Sequence, residues 1–175
     1  MFRGAVVVAL CLVGSPAGAG DAGAAAARGT LQDGEHNYQI AVAAGWRPID
    51  AAAGTLLAYE GPGKKAHLTI TRVEIGRVPD KTGQPRMVDE IERGVERSTR
   101  SYKRVKRKLS AAGIVPVLDL VYQRSAPAGG HGLMLSRFLL FRRHTVVLSI
   151  GVEPDAREAR RDAEAMIQSF TPFLP

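Results

Sequence analysis

The sequence predicts an α+β domain: an antiparallel sheet of about six to seven strands with two helices packed on it. Several segments bounded by glycine and proline alternate apolar and polar residues with period two, the signature of strands. Two other segments place apolar residues at helical spacing, each along one stripe. The turns between consecutive late strands are short, which makes those neighbours antiparallel. A chain of 175 residues suffices for one domain, and 45% hydrophobic with 23% charged residues excludes wholesale disorder.

The chain opens with a charged start, Met1-Phe2-Arg3, then an apolar stretch from Gly4 to Gly14, then the small residues Ser15-Pro16-Ala17-Gly18-Ala19. That order is a secretory signal, with cleavage expected after Ala19. The apolar stretch is about half of the ~20 residues a membrane-spanning helix needs. A lipid anchor through Cys11 fits less well, because Ala9 and Leu10 precede the cysteine and it lies inside the apolar stretch. Residues 1–19 are therefore expected to be a signal peptide, 20–35 a flexible Ala/Gly-rich spacer, and 36–175 a single domain. Cleavage removes Arg3 and Cys11, the one cysteine, so the net charge falls from +7 to +6. Without a cysteine, disulfides, thiolate nucleophiles and cysteine-ligated zinc drop out.

Tyr38, Ile40 and Val42 alternate as a first strand, which Gly45 ends before Trp46. Residues 55–60 read as a second strand and 65–75 as a third, with Gly61-Pro62-Gly63-Lys64 as the turn between. In the third, Ala66, Leu68 and Ile70 share a face; the step to Val73 and Ile75 is odd, which suggests a bulge or the strand's end. A helix follows from about Arg86 to Arg100, with Pro85 in its first turn. Its apolar face holds Met87, Val88, Ile91 and Val95, and Asp89, Glu92 and Glu96 fall outside it. Asp89 with Arg93, and Glu96 with Arg100, stand at i,i+4 pairing distance. Strand segments 102–109, 114–123, 133–141 and 145–153 come next. Segments 114–123 and 133–141 are apolar on both faces and need cover on both sides of the sheet. Asp155, with Glu158 three residues on, is placed to cap a last helix. That helix presents Ala156, Ala159, Ala163, Met166, Ile167 and Phe170 on one face and ends before Pro172. The two helices lie one on each face or both on one.

This order of elements resembles the Mog1/PsbP-like superfamily, which includes bacterial secreted PsbP-like proteins and a group once classed as a domain of unknown function, DUF1795. The residues that carry the resemblance are Tyr38-Gln39-Ile40 leading to Gly45-Trp46, then Leu68-Thr69-Ile70-Thr71-Arg72, the helix around Ile91, and Ile167-Gln168-Ser169-Phe170. It covers about residues 36–173. One departure is Ala43, where a proline often precedes the Gly-Trp pair. The resemblance implies an α/β/α sandwich and a mostly non-enzymatic protein that binds a protein partner or supports a larger assembly.

Catalytic patterns are sparse. His36, His67, His131 and His144 are widely spaced and form no metal-ligand pattern. Gly129-Gly130-His131-Gly132 lies between strands, whereas a phosphate cradle leads into a helix. No catalytic residue, metal ligand or cofactor is expected. Asp119 and Arg137 each interrupt an apolar strand face and would lie nearly opposite across a hairpin, as a structural ion pair or as a polar spot in an apolar groove. The strongest anomaly is Lys103-Arg104-Val105-Lys106-Arg107-Lys108. Regular alternation would put Arg104, Lys106 and Lys108 on one face, and Lys103, Val105 and Arg107 on the other. Charge on both faces reads as an edge strand kept from aggregating. It also reads as an anion- or partner-binding patch of Lys103, Arg104, Lys106, Arg107 and Lys108, for an acidic protein, phospholipid headgroups or an envelope polymer. Nucleic acid is disfavoured, since no aromatics interleave for stacking.

The functional expectation is an exported, periplasmic or extracellular, non-catalytic envelope protein that binds a protein partner or assists an assembly. The alternative is a carrier or sensor of a small apolar or anionic ligand, which needs a closed pocket. A histidine–carboxylate hydrolase has little support in the spacing.

Overall fold

A computed structural model of the chain describes residues 29–74, 78–126 and 129–173. The expected signal peptide lies outside these residues, as does Ile75. Ten strands and two α-helices follow in order: β1 (Gly29–Asp33), β2 (Tyr38–Val42), β3 (Arg47–Pro48), β4 (Thr55–Glu60), β5 (Ala66–Glu74), α1 (Gln84–Ser98), β6 (Lys103–Ala112), β7 (Val115–Ser125), β8 (His131–Leu140), β9 (His144–Val152), α2 (Arg157–Ser169) and β10 (Thr171–Pro172). Seven strands form an antiparallel sheet in the order β3-β4-β5-β9-β8-β7-β6.

Side chains on β7, β8 and β9 alternate between two cores. Val115, Val117, Leu135, Leu139, Val146, Leu148 and Ile150 face the core that α2 covers with Ala159, Ala163, Met166 and Ile167. Leu118, Leu120, Tyr122, Phe138, Leu140 and Val147 face the opposite core, which α1 covers with Val88, Ile91 and Val95. One helix therefore sits on each face of the sheet. Both pack by an apolar stripe, and Pro85 stands in the first turn of α1, where its missing N–H is harmless.

The structure changes four sequence expectations. First, the large sheet excludes β2, which pairs with β1 on one side and β10 on the other in a separate three-stranded sheet. β1 lies inside the stretch, residues 20–35, that composition assigns to a spacer. Its Leu31 packs on the α2-side core, an apolar contact too short in sequence to announce itself. Second, β5 pairs with β9 without a break from Ala66 to its end at Glu74, so of the two readings the bulge is excluded and the strand's end stands. The odd step is a change of core: Leu68 and Ile70 face the α2 side and Val73 faces the α1 side. Third, Asp155 does not cap α2; Ala156 is the N-cap residue, and the Asp155 carboxylate accepts from Lys65 Nζ instead. Fourth, Asp89 takes Arg107 as its partner, while Arg93 donates Nε to the Asp89 carbonyl at 3.2 Å. Glu96 and Arg100 form no ion pair among the described residues.

The small sheet is fastened to α2 near its C-terminus. Ser169 Oγ accepts from the Ala41 N–H at 3.0 Å, Gln39 Nε2 donates to Thr171 Oγ1 at 3.1 Å, and the Tyr38 and Phe170 rings meet at 5.4 Å between centroids. Trp46 is fully buried where β2 leaves for β3, and its Nε1 donates to Asp162 of α2 at 3.2 Å. Gly61 lies against the indole: a Cβ there would stand 3.0 Å from Ala66 Cβ and 3.2 Å from Trp46 Cζ2. Emptying this site should cost about 3–5 kcal/mol, the usual range for a large buried aromatic. Urea unfolding of Trp46→Ala, followed by circular dichroism, is expected to show that loss; a change under 1 kcal/mol would mean that the tryptophan does not hold α2 to the small sheet.

Candidate functional site

β6 is the edge of the large sheet and, among the described residues, pairs only with β7. Its register shifts between Arg104 and Lys106, so Val105 is the extra residue of a bulge. Arg104 lies opposite Tyr122, and Arg107 opposite Leu120. Both partners face the α1 core, so both arginines emerge on the α1 side. Lys103, Lys106 and Lys108 lie opposite Gln123, Val121 and Asp119, on the other face. The face assignment from regular alternation is thus corrected. One inserted residue sorts the five cations, two arginines to one side and three lysines to the other.

The arginines converge on Glu92 of α1. This carboxylate is only 8% exposed, although the helical spacing leaves it outside the apolar stripe. Arg104 Nη1 lies 3.0 and 3.1 Å from its two oxygens, Arg107 Nη1 lies 2.8 Å from Oε2, and the Tyr102 hydroxyl donates to Oε1 at 2.8 Å. Arg107 also reaches Asp89 at 2.7 Å. Burial pushes the Glu92 carboxyl up. The bonds from Tyr102 and Arg107, with the Arg104 charge, outweigh burial and hold its pKa below the ordinary glutamate value. The nearby carboxylates also keep Arg107 firmly charged. Each arginine makes these bonds through Nη1 alone, whose two N–H groups serve two carboxylate oxygens. Sequence reasoning missed Glu92 and Tyr102; the one available signal was a basic run following an acidic helix.

The three lysines are exposed, and among the described residues none has a carboxylate within ion-pair distance. Lys108 lies opposite Asp119, but Asp119 is committed elsewhere. Arg137 of β8 stands directly across from it and bonds both of its oxygens, Nε to Oδ1 at 2.6 Å and Nη2 to Oδ2 at 3.0 Å. Arg137 Nη1 also donates to the Gln168 and Phe170 carbonyls at 3.4 and 3.3 Å, at the negative end of the α2 dipole. With side chains 10% and 15% exposed, this is a mostly buried tie between sheet and helix.

The histidines stay apart from this edge. His36 Nδ1 lies 2.8 Å from Asp33 Oδ2, and Asp33 Oδ1 accepts the His36 N–H at 2.9 Å, which closes the β1–β2 turn. Burial lowers the pKa of His67 and of His144. Among the described residues no cluster of three or more His, Cys, Asp or Glu could hold a metal, and no helix is long and apolar enough to cross a membrane. A groove between the 3₁₀ turn Pro62–Lys64 and the start of α2 is open and edged by Lys65, Asp155, Arg157 and Glu158.

No family model matches the sequence, and no curated protein does. Solved structures do share its fold. The cyanobacterial PsbP protein CyanoP of Synechocystis sp. PCC 6803 superposes with a TM-score of 0.62 at 12% identity, over 88% of this chain and 98% of that one. LpqN, involved in cell envelope biogenesis of Mycobacterium tuberculosis, gives 0.58 at 10% identity, over 83% of this chain and 90% of that one. PA94 of Pseudomonas aeruginosa, a protein of unknown function, gives 0.52 at 16%, over 83% and 88%. The chain has the PsbP/Mog1-like α+β fold.

Two outcomes follow from these ion pairs. Glu92 has a lowered pKa when folded, so its contribution is present above the unfolded value of about 4.3 and is lost as pH falls below it. Thermal unfolding from pH 6 to pH 3 should therefore show a steeper fall in Tm for the wild type than for Glu92→Gln; parallel curves would contradict the ion cluster. Arg137→Met strands Asp119 and should cost about 3 kcal/mol. The double change Arg137→Met with Asp119→Leu should recover much of that in urea unfolding, and additive losses would show that the two side chains are not coupled.

Proposed function

We propose that this chain is an exported, non-catalytic accessory protein that binds an acidic protein partner through Lys103, Lys106 and Lys108 of β6. The observation that carries the reading is the sorting of charge along that strand. The arginines are neutralised against α1, whereas the lysines stand free on one face of an open edge. Free ammonium groups gathered on one face of a single strand attract an acidic surface, speed encounter and fix register. The charged–apolar–small order of residues 1–19 supports export. LpqN, which shares the fold, is a protein of cell envelope biogenesis, and this favours an envelope setting.

The test is recovery of a stoichiometric partner from envelope extract on immobilised domain, for the wild type and for the triple variant Lys103→Gln, Lys106→Gln, Lys108→Gln. The reading expects the wild type to hold a partner that about 0.5 M salt releases, since screening shortens the Debye length to a few ångströms. The variant should retain at least tenfold less. Equal recovery by both, or retention only on anionic lipid vesicles, would overturn an acidic protein as the occupant of this face.

A further inference from the structure

We propose that β6 binds its partner by strand addition: an extended acidic segment of another protein lies antiparallel along Lys106–Ala112 and becomes the eighth strand of the large sheet. This rests on the lysine-face reading and specifies how that face is used.

The backbone provides the first argument. β6 runs for ten residues, about 33 Å at ~3.3 Å per residue. On the side away from β7, its N–H and C=O groups have no partner among the described residues. The bulge at Val105 ends regular pairing there, and from Lys106 to Ala112 the register with β7 is unbroken. The open length is therefore a template for about seven residues, a usual strand length.

The side chains provide the second. Lysine on an edge discourages pairing with a like-charged strand, a second copy of β6 included. Protection alone does not explain the apolar exposure around it. Four large apolar residues are exposed among the described residues, and three of them cluster at this template: Leu109 at 37% within it, Val105 at 57% just before it and Ile114 at 88% just after it. Cationic and apolar groups together match a segment of alternating acidic and apolar residues. Its acids, two apart, would stand beside Lys106 and Lys108 on one face, and an apolar residue would meet Leu109 on the other. Main-chain bonds would supply affinity and the lysines the choice of partner.

The probe is an acetylated, amidated hexapeptide of alternating Glu and Val, with two isomers N-methylated at the odd or at the even residues. Added to the whole mature protein, the unmethylated peptide should slow exchange at every second amide of residues 106–112. Lys106→Gln with Lys108→Gln should weaken its binding at least tenfold. One N-methyl isomer, whose blocked amides face β6, should lose binding at least tenfold, and the other, blocked on its outer edge, should keep it. Binding that needs the lysines but treats both isomers alike, with no amide protection, overturns strand addition and leaves the charge reading standing. Binding indifferent to the lysines, or no binding, overturns the proposal too. So does a dimer of the free protein with β6 amides already protected, which would make a second copy the occupant.

Discussion

The central strands β7, β8 and β9 carry apolar side chains on both faces, and such a sheet is stable only when both faces are covered. The rest of the fold answers to that requirement. α2 closes one face, fastened by Trp46, by the small sheet, and by Arg137 reaching from β8 to the last carbonyls of the helix. α1 closes the other, and by lying there it brings Glu92 and Asp89 within reach of the edge strand. The charged edge is thus a consequence of two-sided burial: the helix that covers Leu118, Leu120 and Tyr122 also draws two arginines towards it.

The bulge at Val105 turns that proximity into a division of labour. Without the extra residue, Arg104 and Arg107 would lie on opposite faces, and only one could meet the Glu92 carboxylate. With it, both bind, and the three lysines are left on the remaining face. The chemistry of the two cations fits the division. Arginine keeps its charge when partly buried and bonds several oxygens at fixed angles. Lysine is a strongly hydrated point charge, suited to attraction at a surface where partners exchange. The lysines also protect the edge from its own kind, so resistance to aggregation and recognition of an acidic segment are two results of one arrangement.

Much of the architecture was legible because two-sided strands and amphipathic helices leave strong periodic signals, as at Leu118, Leu120 and Tyr122 or at Ala159, Ala163 and Met166. What stayed hidden was decided by single contacts. β1 offers one useful apolar residue, Leu31, and takes its place through backbone pairing with β2. Membership of β2 in a separate sheet depends on where the chain's end returns as β10, which no local pattern records. Glu92 looks like a solvated helix residue until Tyr102, Arg104 and Arg107 are seen to surround it. A bulge leaves no mark in a run of cations, because alternation is tested on apolar residues and this strand has few. Asp155 carries the right residue type for a cap, but Lys65 claims its carboxylate.

Lysine acetylation mapped by mass spectrometry, with and without the partner, tests the account most directly. The described chain holds six lysines: Lys64, Lys65, Lys81, Lys103, Lys106 and Lys108. All six should react in the free protein, with Lys65 slowed by its bond to Asp155. In the complex, Lys103, Lys106 and Lys108 should be protected together while Lys64 and Lys81 react as before. Protection at Lys64 and Lys81, with β6 reacting unchanged, would contradict the assignment of the lysine face as the binding site.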